Sequence, residues 1–71
     1  MQMDEQTRLR IEQGKDVACL QQARYTGAYD LPIYYYNVEF AKTQLAQNRE
    51  HYPSILWRLT ILSGPEKGKV L

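Results

Sequence analysis

Residues 54–62 alternate with period two, and no other stretch of this chain constrains its fold as firmly. Ile55, Trp57, Leu59 and Ile61 fall on one side of an extended backbone, and Leu56, Arg58, Thr60 and Leu62 on the other. A strand of this kind needs a sheet partner and a cover for its apolar side. Little else is available to build with in 71 residues. A chain this short buries only about 60% of the surface its unfolded form exposes, so one small domain is expected. The single cysteine, Cys19, cannot close an internal bridge. Together with the single histidine, His51, it falls short of the four ligands of a structural zinc site. Stability must come from packing, self-association or a partner, and no metal or cofactor is expected. The shortage of cysteine points to a reducing, cytoplasmic setting.

The partner and the cover are found upstream. Residues 31–36 are rich in β-favouring types, and Pro32 places them at a sheet edge or confines the proline to the first positions of the strand. Asn37 caps a helix over 38–49, whose inward stripe is Val38, Ala41 and Leu45 with Lys42 and Arg49 flanking. Pro53 ends the region, and His51 lies at the helix terminus, where a cation suits the dipole. Strands near 31–36 and 54–62 with a helix between them predict one sheet layer covered by that helix. If the two strands are adjacent and parallel, the crossover is right-handed. The Ser63–Gly68 segment is turn chemistry, and a short return strand is expected near 67–71. The fold class is α+β.

The N-terminal segment reads in two ways, helical or a hairpin. Over 4–13, Asp4 is a good N-cap and Gly14 a good helix stop, yet Leu9 and Ile11 alternate with Arg8, Arg10 and Glu12 as in a strand. Over 16–26, Asp16 and Gly27 would bracket a helix. Alternatively, residues 13–16 turn a hairpin and Val17, Cys19, Gln21 and Ala23 line one face of a second strand. Propensity tilts this second segment to helix, because Ala, Leu, Gln and Arg favour it.

Six tyrosines set the functional question: Tyr25, Tyr29, Tyr34, Tyr35, Tyr36 and Tyr52. Alternation sends Leu31, Ile33 and Tyr35 to the core side, and leaves Tyr34 and Tyr36 on the opposite face beside Leu56, Arg58 and Thr60. Aromatic platforms next to a guanidinium offer stacking, cation–π contact and hydrogen bonding together. Ordinary packing beneath the N-terminal segment is the competing explanation. Phe40 falls on the helix side away from the inward stripe, with Gln44 and Gln47, and either folds onto the strand or is an exposed aromatic. The candidate binding residues are Tyr34, Tyr36 and Arg58, extended by Arg24, Tyr25, Tyr29 and Phe40.

Chemistry finds no foothold in the pattern. A cysteine nucleophile needs a base, and nothing in the spacing of Cys19 and His51 brings them together. Gly14, Gly27, Gly64 and Gly68 do not form a phosphate loop. Nine Lys and Arg against eight Asp and Glu give a net charge of +1, which disfavours a general phosphate-backbone binder. No apolar run approaches the roughly 20 residues that span a bilayer, and the polar, acidic start is unlike a signal peptide, so no membrane partner is expected.

The stretch from Trp57 to Leu71, with its Gly64-Pro65-Glu66-Lys67-Gly68 turn, resembles the opening strand–turn–strand of forkhead-associated domains. It is also similar to the Gly-Pro-x-Lys-Gly turns of KOW-type β modules. The phosphopeptide-binding residues of the former lie beyond this stretch, so no functional residue carries over and the likeness implies hairpin chemistry alone. The expectation is a small non-enzymatic binding protein that acts through a protein–protein interface, of the inhibitor or adaptor kind found in phages and mobile elements. Two alternatives remain open: nucleic-acid binding through Tyr34, Tyr36, Arg24 and Arg58, and self-association of the tyrosine face across a two-fold axis.

Overall fold

The computed structural model describes residues 3–23, 29–30 and 32–71. Five elements follow in order: α1 (Glu5–Glu12), β1 (Val17–Gln22), β2 (Ile33–Tyr35), α2 (Val38–His51) and β3 (Trp57–Ser63). The strands form one antiparallel sheet in the order β2-β1-β3. This is a small α+β domain with an open sheet packed on a helix.

β1 corrects the tilt toward helix over 16–26. Its residues Val17, Ala18, Cys19 and Leu20 are all buried, because the strand lies in the middle of the sheet with a neighbour on each side. A continuous apolar run suits a strand covered on both faces, and that burial outweighs the helix preference of Ala, Leu and Gln. The hairpin alternative holds for its second strand, with Val17, Cys19 and Gln21 on one face, and fails in its pairing: β1 pairs with β2 and β3, while the preceding residues are helical. Asp4 caps α1 as expected, accepting a bond from the Thr7 amide at 2.8 Å. Gly14 follows the helix at φ 73°, where a side chain would be strained.

The two strands expected to share the sheet do so, but β1 separates them. β2 and β3 therefore run in the same direction without touching, and α2 crosses from one to the other on one side of the sheet. Asn37 caps α2 through a 2.8 Å bond from the Phe40 amide. Val38, Ala41 and Leu45 then pack on Ala18, Leu20, Leu59 and Ile61, with Tyr35 and Trp57 at the margin. Ile33, assigned to the core by alternation, is 57% exposed. The periodicity was right about its face, since it opposes Leu20, but β2 is an edge strand and α2 lies mainly over β3 and β1.

Past β3 the chain turns through Gly64 and Gly68 and runs back along that strand. Thr60 bridges Val70, and Leu71 donates to the Leu59 carbonyl at 2.8 Å. This is the return segment expected near 67–71. Gly64, at φ 109°, lies so close to Asp16 that a Cβ there would collide with its carboxylate. Glu66 fastens the turn to α2, accepting from Lys42 at 2.8 Å and from Lys69 at 3.1 Å. Among the described residues no helix is long and apolar enough to cross a membrane.

Candidate functional site

The face of the sheet away from α2 carries Val17, Cys19 and Gln21 from β1, Tyr34 from β2, and Arg58, Thr60 and Leu62 from β3. Its two halves are finished differently. α1 covers the half near the start of β1, and does so with polar groups. Thr7 is fully buried, and its hydroxyl shares a 2.7 Å hydrogen bond with the Tyr36 hydroxyl. Arg10 stands 4.5 Å over the Tyr36 ring and donates to the carbonyls of Asp16 and Tyr36, each at 3.1 Å. Tyr36 is thus a strut that holds α1 on the sheet. Tyr34, opposite Cys19, is half-buried; burial first, then Cys19 and Asp4, push its hydroxyl above the ordinary tyrosine range. Burial likewise raises the Cys19 thiol, against a smaller pull downward from Arg58, so the thiolate is disfavoured.

The other half ends in an arginine cluster. The Arg58 guanidinium lies 3.7 Å from the centre of the Tyr29 ring and donates to the Gln21 side chain at 2.8 Å. Gln21 in turn donates to the Asp30 carbonyl at 3.1 Å, and Gln22 to the Asp30 carboxylate at 2.8 Å. Arg58 therefore meets Tyr29, whereas alternation had set Tyr34 and Tyr36 beside it. The inserted strand β1 is the reason, since Cys19 and Gln21 stand between β2 and β3.

At this end of the sheet lie exposed apolar groups that sequence reasoning did not select, Leu56 on the side of the cluster and Tyr52 on the side of α2. Leu56, 70% exposed, accepts the Ala23 amide through its carbonyl, and Ala23 bridges Tyr29. Tyr52, 55% exposed, tilts against Trp57 with ring centres 6.4 Å apart. Leu56 was hidden by its place in an alternating run; the strand begins one residue later, and the leucine projects from its end. No family model, curated protein or solved structure matches the chain.

Of the remaining candidates, Arg24 and Tyr25 lie outside the described residues, as does Leu31. Phe40 takes both of the roles open to it. Its ring rests on Tyr35 at 5.7 Å between centres, yet 54% of the residue stays exposed. Among the described residues no three His, Cys, Asp or Glu side chains gather to hold a metal ion.

Proposed function

We propose that the protein works by binding another protein rather than by catalysis, and that the sheet end bearing Tyr29, Tyr52, Leu56 and Arg58 is its contact surface. The observation that carries this reading is the fixed Arg58, stacked on Tyr29 and held by Gln21 beside an exposed leucine. Tyrosine and arginine are the types that dominate protein interfaces, and a side chain already held in place loses little freedom on docking. An inhibitor or adaptor role suits a chain whose side chains offer contact rather than chemistry.

Affinity capture from the native host tests it. Tagged wild-type protein is expected to retain a specific partner that Leu56→Asp and Tyr29→Ser both lose, with circular dichroism unchanged because both residues are exposed. Retention by both variants would move the interface elsewhere. A stacked tyrosine–arginine pair also suits single-stranded nucleic acid, which predicts affinity that falls steeply with salt. A fluorescence titration with short single strands that shows no binding at low salt removes that second reading.

A further inference from the structure

The sheet has two edges, and among the described residues only one is finished. Along β3 the returning residues Lys69 to Leu71 occupy the outer backbone groups. β2 pairs with β1 alone, and among the described residues no strand lies on its other side. Exposed edges are ordinarily guarded by shortness, proline, charged side chains or bulges. β2 is short and follows Pro32, but in a chain that is 24% charged no residue from Pro32 to Val38 carries a charge. The flank of α2 above this edge is neutral too. Phe40 leans on Tyr35, and Gln44 and Asn48 follow it at four-residue steps, while Lys42 and Arg49 point to the β3 side, where they meet Glu66 and the Trp57 carbonyl.

We propose that β2 is a self-association edge, which pairs antiparallel with β2 of a second copy about a two-fold axis through Tyr34. A neutral edge gives a charged partner nothing to select, whereas the self-paired register is complementary. It sets Ile33 opposite Tyr35 of the second copy, an aromatic against a β-branched residue, which is a favourable cross-strand pair. Phe40 sits beside Tyr35, so the same axis carries the second copy's Phe40 toward Ile33, and the two most exposed apolar groups of this flank cover each other. A stable dimer needs about 600 Å² from each copy. That is about an eighth of the 5013 Å² surface and more than three strand residues supply, so Phe40, Gln44 and Asn48 must take part.

Light scattering over about a hundredfold range of concentration tests this, because dimer stability follows mass action. The wild-type chain is expected to reach twice the monomer mass. Ile33→Lys and Phe40→Glu are each expected to halve that mass with an unchanged circular dichroism spectrum, while Leu56→Asp leaves it doubled. Amide exchange supplies a readout that needs no variant: Ile33 and Tyr35 direct their amides to β1, so the outward amide of Tyr34 should slow as wild-type concentration rises, and that of Val70 should not. Monomer mass at the highest concentration overturns the proposal. So does a dimer that survives both substitutions, or one in which the Tyr34 amide does not slow.

Discussion

α1 and α2 lie on opposite faces of one sheet, and different physics holds each of them there. α2 is seated by an apolar stripe, with Val38, Ala41 and Leu45 pressed on four aliphatic side chains of β1 and β3. Such contact is additive and tolerant of small changes in shape. α1 buries a threonine instead. The Thr7–Tyr36 hydrogen bond and the Arg10 contacts are directional, and they yield little net stability while complete but cost more when half is removed. The α2 face should therefore carry most of the folding energy, and the α1 face should decide where the N-terminus docks.

The largest effect is expected on the α2 side. Leu59 is fully buried in the centre of the core, and Leu59→Ala leaves a cavity whose cost is about 2–5 kcal/mol. A domain of this size has roughly 4–10 kcal/mol in all. Urea denaturation should show a midpoint lowered by about half, with both helices melting together. A variant that lost α1 alone, with α2 intact, would contradict the assignment of the folding energy to this face.

A smaller and more local effect is expected on the α1 side. Tyr36→Phe removes one hydroxyl and leaves that of buried Thr7 with the Asp4 carboxylate alone, at about 1 kcal/mol. Adding Thr7→Val should restore part of the loss, because two apolar groups then meet where two hydroxyls did, while the side-chain contact to Asp4 is given up. Hydrogen exchange should rise over Glu5–Glu12 in the single variant while Val38–His51 keeps its protection. If the double variant is no better than the single, the hydroxyl pair is not what holds α1.

The same contrast explains which parts of the fold were legible in the sequence. Val38, Ala41 and Leu45 repeat at helical spacing and Trp57, Leu59 and Ile61 at strand spacing, so α2, β3 and their contact could be read directly. α1 carries no such stripe. Its inward residue is a threonine, and Leu9, which suggested a strand, is 42% exposed. Only the cap at Asp4 and the stop at Gly14 marked it as a helix. β1 was obscured by Ala, Leu and Gln, whose local preference is overridden by a central place in the sheet. That one insertion also redistributed the candidate site. It separated Tyr34 and Tyr36 from Arg58, and it made β2 the edge that leaves Ile33 uncovered. Strand order is a property of the whole chain, and alternation within a single strand carries no record of it.

The smallest expected effect again separates the helices, this time through their caps. Asp4 caps α1 and Asn37 caps α2, so only the first cap titrates. The Thr7 amide, followed by the Thr7 side chain, holds the Asp4 carboxyl below its ordinary value of 3.8. A carboxyl that is more acidic in the folded chain contributes stability above its unfolded value, and that contribution disappears as the pH falls through the folded value. Acid should therefore loosen the first turn of α1 and leave that of α2 in place. Glu66 is also held low, by Lys42 and then Lys69, so acid weakens the clamp on the flank of α2, but that clamp is remote from its capped end. Amide spectra recorded from about pH 6 to about pH 2.5 should show the Thr7 resonance moving while that of Phe40 stays. Asp4→Asn keeps an acceptor at the cap and removes the proton site, so it should abolish the shift of Thr7. Equal movement of both amides would mean that acid acts on the sheet they share, and that the two helices are less independent than their contacts indicate.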